Sequence, residues 1–299
     1  SLGYIINLIY TRRFCSLKLT FHMNLKQHLM PILILFGGQL AVTIYIQSDI
    51  TMIGLFDSDK AVGVYTITSK IYMLIKGVIN ALTTVAIPRI SYYLGENQME
   101  RYRKFSNKLI RYLLLFVIPL VIGLFFFSEN LLQIIGGKQY ISGVSTLKIL
   151  ALALFCAVFS GFFCNGIMVP NRKEKEYFFI TTLSACINIT LNIFFIPQTG
   201  IMGAAITTLI SEMVVLLLSF YCIKRYLEVE WDFRHLFSVS IAGIGVVIIC
   251  VLCKMIIKNT IIQLIIAILL SALTYCAVLI SLKNEILMNL IAGKLKNSR

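Results

Sequence analysis

The chain has little charge for its length. Only 13% of its 299 residues are Asp, Glu, Lys or Arg, and 59% are hydrophobic, whereas a soluble domain carries about twice this share of charge. The period-two alternation of a membrane β-barrel is also absent. These features exclude a separate soluble domain and predict an all-α polytopic membrane protein.

Sequence motifs of soluble catalytic sites are missing as well. No phosphate-binding glycine loop, nucleophile elbow or zinc-binding helix motif occurs, and Asp57-Ser58-Asp59 reads as a loop. The eight cysteines show no regular spacing and the three histidines are scattered, so a metal centre is not predicted. The sequence therefore favours a protein that is not an enzyme and carries no cofactor.

Eight apolar segments are long enough to cross a bilayer as helices. They lie at 29–55, 63–87, 109–127, 147–169, 177–196, 201–222, 236–257 and 260–282. Residues 128–145 read as a short interfacial helix followed by a turn. The chain starts with Ser1 inside an apolar run and shows no signal-peptide pattern, so we expect a preceding N-terminal part.

Basic residues lie mainly on one side of these spans. If the first complete span runs from inside to outside, 20 of the 27 Lys and Arg residues fall on inner segments and five on outer ones. By the positive-inside rule this asymmetry predicts a cytoplasmic C-terminus. The net charge of +14 then reflects topology and contact with anionic lipids rather than binding of nucleic acid.

The second span carries a polar stripe around a lysine. Tyr72, Lys76 and Asn80 share one face of the helix, and Lys76 lies near its middle. A lysine at this depth costs about 2.5–3.5 kcal/mol on insertion scales, which marks a pathway, a ligand or a partner charge. We expect Lys76 to line a cavity for an anionic substrate; a buried lysine bonded to carbonyls or an acid is the alternative. Lys70 lies nearer the outer face. It either contributes to the same binding site or extends its ammonium group towards the aqueous surface.

Two other spans repeat polar residues at helical spacing. They are Gln39, Thr43 and Gln47 in the first span, and Thr181, Ser184, Asn188 and Asn192 in the fifth. Amides and hydroxyls both donate and accept hydrogen bonds, as recognition of sugar hydroxyls requires, although contacts between helices use the same groups. The residues predicted to bind the sugars of a substrate are Gln39, Tyr72, Asn80, Asn188 and Asn192.

Two acids lie within predicted spans. Glu212 sits near the middle of the sixth span, and Asp49 towards the outer end of the first. A carboxyl removed from water can exchange a proton during transport, so both are candidates for proton coupling. The alternatives are a salt bridge between Glu212 and Lys76, and a polar contact at the helix end for Asp49.

Three segments together resemble one family of transporters. Residues 48–71 read SDITMIGLFDSDKAVGVYTITSKI, residues 87–108 read IPRISYYLGENQMERYRKFSNK, and residues 196–212 read IPQTGIMGAAITTLISE. Their order and spacing resemble the Wzx-type polysaccharide repeat-unit flippases of the MOP superfamily, which are related to MATE exporters and lipid II flippases. The resemblance covers essentially the whole chain, although Thr199 stands where relatives often carry an aromatic residue.

The resemblance implies a fold with two six-helix lobes around a central cavity. This chain would then hold the end of a helix at 1–10, a basic cytoplasmic loop at 11–28, the C-terminal six-helix lobe of a MATE-like bundle at 29–223, and two extra transmembrane helices with a basic tail at 224–299. The cationic lumen of the family corresponds to Lys76 and, less directly, to Lys70.

The resemblance also implies a function. Such a protein moves an undecaprenyl-diphosphate-linked oligosaccharide from the inner to the outer leaflet of the bacterial cytoplasmic membrane, coupled to a cation gradient. Its partners would be this lipid, the surrounding membrane lipids, the missing N-terminal lobe and other polysaccharide-assembly proteins.

Three alternatives share some of these features. A MATE-type exporter of cationic drugs needs acids in its lumen, where this sequence places Lys76. A membrane-embedded polysaccharide polymerase or glycosyltransferase needs an extended outer loop or catalytic acids beside a soluble face, and neither is present. A scaffold that transports nothing would pair its polar stripes with one another and leave no cavity.

Overall fold

The computed structural model describes residues 25–289, which form a bundle of long helices. They are α1 (Leu25–Phe56), α2 (Asp59–Gly95), α3 (Met99–Phe126), α4 (Ser128–Ile135), α5 (Val144–Gly161), α6 (Glu174–Thr199), α7 (Ile201–Ile223), α8 (Phe233–Ile256) and α9 (Thr260–Ser281). Within the described range, eight helical segments are long and apolar enough to cross a membrane, which confirms the predicted all-α polytopic class. The predictions for residues 1–24 and 290–299 lie outside the described residues.

The helices extend beyond the predicted apolar spans. The second span, predicted at 63–87, continues through Pro88 to Gly95, and only residues 96–98 separate it from the helix of the next span, which is predicted to begin at residue 109. Hydropathy detects only the part of a helix that lies in lipid, whereas helical hydrogen bonds continue into water at little cost. Polar caps then set the ends: the Ser58 side chain accepts from the Ala61 amide at 3.3 Å at the start of α2.

The short helix predicted within residues 128–145 is present as α4, which is followed by a 3₁₀ helix at Lys138–Gly143. Gly137 lies between them with φ of 92°, a backbone conformation that glycine adopts without strain. This turn connects α4 to the 3₁₀ helix that precedes α5.

Helix α5 and its continuation form the centre of the bundle. A π-helical segment, Phe162–Met168, follows α5 without a break. In the candidate membrane span Lys138–Met168, 72% of the most apolar stretch is buried. In each of the other seven spans the buried share is 44% or less. Helix α5 packs against α2, α3 and α7, while α6 packs against α1 and α7. The polar faces of α1, α2, α6 and α7 therefore meet on one side of α5.

The last two helices pack on each other and mainly on α3. The segment that leads to α8 is fixed to α3 by Asn107, whose amide donates to the Glu228 carbonyl at 2.9 Å and whose side-chain oxygen accepts from the Glu230 amide at 3.0 Å. Arg103 pairs with Glu228 at 2.7 Å, and Arg111 pairs with Asp232 at 3.3 Å. Part of the basic charge of α3 is thus neutralised within the protein.

Candidate functional site

Two neighbouring cavities open among α1, α2 and α5–α7, each of about 220 Å³. Polar residues that line only the first, here named the Asp49 cavity, are Asp49, Tyr65, Ser69, Tyr72 and Thr208. Those that line only the second, the Tyr177 cavity, are Gln39, Ser160, Asn165, Tyr177, Thr181 and Ser184. Lys76, Asn80 and Glu212 line both. The polar stripe of α2 therefore faces cavities.

An ion pair lies where the two cavities meet. Lys76 Nζ is 2.8 Å from Glu212 Oε1, and the side chains are 21% and 5% exposed, respectively. Tyr72 lies one turn before Lys76 on the same face of α2, and its hydroxyl donates to Glu212 Oε1 at 3.4 Å. Ser160 at the end of α5 donates to Glu212 Oε2 at 3.3 Å. The salt bridge considered as an alternative from the sequence is present, and its lysine stays accessible from the cavities.

A second cluster surrounds Asp49, which is 3% exposed. Its carboxylate accepts hydrogen bonds from the Tyr65 hydroxyl at 2.7 Å, the Asn192 amide at 2.6 Å and the Thr208 hydroxyl at 3.0 Å. Asn192 also donates to Asn188 Oδ1 at 3.1 Å. The hydrogen-bond donors of three helices, α2, α6 and α7, thus meet on one carboxylate of α1.

Among the side chains that the structure describes, no Lys, Arg or His forms a salt bridge with Asp49. The described side chains also include no group of three or more His, Cys, Asp or Glu residues that could hold a metal ion. The oxygens near Asp49 are one carboxylate with amides and hydroxyls, which are donors suited to a small hard cation. The chemistry of the cluster is therefore suited to binding a proton or such a cation.

Two glycines let α1 approach α6 closely. A Cβ at Gly38 would lie 2.5 Å from Tyr177 Cε1, and one at Gly37 would lie 2.8 Å from Phe178 Cε2. Small residues allow such approaches between membrane helices. The next residue, Gln39, donates from Nε2 to the Tyr177 hydroxyl at 3.1 Å. The glycine pair thus places an amide and a phenol together at the wall of the Tyr177 cavity.

The structure brings together six of the predicted site residues. Around the two cavities lie Gln39, Asp49, Tyr72, Lys76, Asn80 and Glu212. Asn188 and Asn192 are fully buried behind Asp49 and line neither cavity. Asn192 donates to Asp49 and to the side-chain oxygen of Asn188, so both belong to the Asp49 cluster. Lys70 is exposed and also lines neither cavity.

Sequence reasoning missed Ser160, Asn165 and Tyr177. Asn165 lies in the π-helical segment and donates to the Gly161 carbonyl at 3.2 Å. Such π-bulges occur frequently at functional sites. The available signal was a single asparagine in the otherwise apolar run FFCNGIM. Tyr177 stands at the first turn of α6, where an aromatic residue suggests only a membrane interface.

Comparisons with known proteins agree with this architecture. The MatE family matches residues 35–194, which extend from α1 into α6. An uncharacterized membrane protein, MJ1068 of Methanocaldococcus jannaschii, is 30% identical over 161 residues, covering 53% of this chain and 31% of the relative. The probable low-salt glycan biosynthesis flippase Agl15 of Haloferax volcanii is 23% identical over 195 residues, covering 64% of this chain and 40% of the relative.

The solved structure of the lipid II flippase MurJ, in an inward closed conformation, shows the same fold. It superposes with a TM-score of 0.70 at 19% identity, covering 93% of this chain and 57% of MurJ. The chain thus spans between about a third and three fifths of the length of these three proteins. The fold is a MATE-like helical bundle, as predicted, and the chain belongs to the MatE family.

Proposed function

We propose that this protein is a flippase that moves a polyprenyl-diphosphate-linked oligosaccharide across a membrane. The observation that carries the proposal is the accessible Lys76 cation between two cavities of a membrane-embedded bundle. Two opposite unit charges 4 Å apart attract each other by about 4 kcal/mol at an effective dielectric constant near 20, before the cost of desolvation is subtracted. The glycan biosynthesis flippase among the relatives supports the same class of substrate.

In the proposed complex, the diphosphate binds Lys76 and the sugars extend into the Tyr177 cavity. The groups there are neutral amides and hydroxyls, namely those of Gln39, Asn80, Asn165, Tyr177, Thr181 and Ser184. Such groups match sugar hydroxyls because they both donate and accept hydrogen bonds. The lipid tail stays in the bilayer, and an N-terminal lobe, as implied by the resemblance, forms the opposite wall.

The finer assignment rests on the family resemblance and on the distribution of charge. We place the protein in the bacterial cytoplasmic membrane, as the resemblance implies, with its C-terminus inside, because basic residues concentrate on that side. The carrier is undecaprenyl diphosphate, moved from the inner to the outer leaflet by alternating access for surface polysaccharide such as O-antigen or capsule. Protonation of Glu212 or Asp49 shifts the balance between the two open states.

The two cavities also help to distinguish the proposed function from a scaffold and from an exporter of cationic drugs. A scaffold would pair its polar stripes and leave no space, yet two cavities of about 220 Å³ are present. A cationic drug would meet Lys76, while one of the two acids is already paired with that lysine and the other accepts three hydrogen bonds. Transport of an anionic lipid headgroup therefore fits the site better.

The test compares Lys76→Arg with Lys76→Ala in cells whose surface polysaccharide depends on this protein. We expect Arg to retain export, because it keeps the positive charge, and Ala to lower it at least about tenfold, a loss of about 1.4 kcal/mol in binding of the diphosphate. Export is measured as the amount of polysaccharide on the cell surface, at equal amounts of protein in the membrane.

Lys254→Ala is the matched control. Lys254 is an exposed lysine of α8 outside both cavities, so its removal should leave export unchanged. Normal export by Lys76→Ala would show that Lys76 does not bind the substrate.

A further inference from the structure

We propose that Glu212 is an internal counter-ion that the diphosphate must displace from Lys76, and that the displaced carboxylate takes up a proton. The inference rests on the proposed function and adds the order in which the diphosphate, Lys76 and Glu212 exchange partners. The two cavities share Lys76 and Glu212 as lining residues. A headgroup that reaches Lys76 from either cavity therefore meets the 2.8 Å ion pair and not a free ammonium.

The two partners differ in their freedom to move. Lys76 is 21% exposed and ends a flexible four-carbon stem, whereas the Glu212 side chain is only 5% exposed. The lysine is thus the partner that can turn towards a ligand, while the carboxylate stays in the protein.

Glu212 keeps hydrogen-bond donors when the lysine leaves. The Tyr72 and Ser160 hydroxyls lie 3.4 and 3.3 Å from its two oxygens. Both distances are longer than the 2.7–2.8 Å typical of hydroxyl donors, so both bonds can shorten after the exchange. The carboxyl therefore stays in a polar niche and is not left among apolar side chains.

The exchange places a carboxylate that is only 5% exposed beside a diphosphate. Two negative groups in such close contact repel each other strongly where the dielectric constant is low. The balance is restored when a proton supplied by the buffered solvent through the cavities adds to a Glu212 oxygen and yields the neutral acid. The other titratable groups near Glu212 on the helices that pack against α7 are Lys76 and Tyr72 of α2, Asp49 of α1, Tyr177 of α6, and Cys156 and Cys164 of α5 and its continuation. Among these, Glu212 is the acid that loses its cation in the exchange.

The first test measures how tightly purified protein binds farnesyl diphosphate, a short soluble probe, by calorimetry at about pH 8. We expect Glu212→Gln to bind the probe at least about tenfold more tightly than the unaltered protein, because no counter-ion must be displaced. If Glu212 instead held Lys76 in place for the ligand, the same variant would bind more weakly. The control is Glu129→Gln, an exposed acid of α4 outside both cavities, which should bind like the unaltered protein.

The second test needs no variant, so it remains decisive if Glu212→Gln fails to fold. Titrations in two buffers with different ionisation enthalpies count the protons taken up on binding. At about pH 8 the probe is fully ionised, since the second ionisation of a phosphate lies near pH 6. We expect uptake of about one proton per bound probe by the unaltered protein, and none by a folded Glu212→Gln.

The outcomes separate this inference from the proposed function. Weaker or unchanged binding by Glu212→Gln, or no proton uptake by the unaltered protein, overturns the exchange while leaving an anion site at Lys76. No binding of farnesyl diphosphate to the unaltered protein overturns both proposals.

Discussion

Replacement of Asp49 by asparagine is expected to lower export of the lipid-linked headgroup at least about a hundredfold while the protein still inserts into the membrane. Asparagine keeps the volume of the side chain, so the packing of α1 is preserved. It replaces one acceptor oxygen with an NH₂ donor, however, at a place where Tyr65, Asn192 and Thr208 all donate. It also removes the negative charge that would attract a coupling proton or cation.

The neighbours can adapt their hydrogen bonds to asparagine. Asn192 donates to one carboxylate oxygen of Asp49, whereas the Tyr65 and Thr208 hydroxyls contact the other. The oxygen of asparagine can keep the bond from Asn192 while its NH₂ group donates to the two hydroxyls, because a hydroxyl accepts as well as donates. The expected loss therefore comes from the missing negative charge, and a hundredfold effect corresponds to about 2.8 kcal/mol in the coupled step.

The measurement has two parts. Export in cells gives the overall loss, and flipping in vesicles with an imposed proton or sodium gradient shows which ion drives it. The unaltered protein should respond to one of the gradients and Asp49→Asn to neither. Asp59→Asn, an exposed acid in the first turn of α2, is the matched control and should behave like the unaltered protein. A gradient-dependent Asp49→Asn would exclude Asp49 as the coupling residue.

Gly38→Val is expected to destabilise the protein by about 3 kcal/mol, the upper end of the usual cost of overpacking. A Cβ at this position would already lie 2.5 Å from the Tyr177 ring, and Tyr177 is only 3% exposed. The ring therefore has little room to move, and α1 must separate from α6. This separation would also break the hydrogen bond from Gln39 to Tyr177 and distort the Tyr177 cavity.

Thermal unfolding in detergent, compared with Gly123→Val, checks this prediction. Gly123 lies within α3, and a Cβ there would meet nothing within 4 Å. Both variants carry the same change in helix propensity, so the difference between their melting temperatures reports the effect of the contact with Tyr177. Equal melting temperatures would show that α1 and α6 do not depend on this close approach.

The sequence predicts the spans and the central lysine because each depends on local properties. Hydropathy reports which residues lie in lipid, and helical spacing places Tyr72, Lys76 and Asn80 on one face. The depth of Glu212 also follows from counting residues along its span. Whether Glu212 then pairs with Lys76 stays open at that stage, since depth does not fix the direction in which a side chain points.

The sequence does not reveal which residues of a polar stripe pack against which neighbouring helix. Thr181 and Ser184 line the Tyr177 cavity, whereas Asn188 and Asn192, further along the same face of α6, are enclosed by the Asp49 cluster. The difference arises from the packing of α6 against α1 and α7, not from its own periodicity. Asn165 was missed for a related reason: the π-helical segment shifts the register on which helical projection depends.

The ion pair has a consequence for the response to voltage. In the empty site the charges of Lys76 and Glu212 cancel, so reorientation of the unloaded protein moves no net charge at this position through the electric field of the membrane. In the proposed flippase, a bound diphosphate adds charges that do feel this field, at about 2.3 kcal/mol per elementary charge for 100 mV. A membrane potential should therefore act through the Lys76–Glu212 pair on the loaded step and not on the return step.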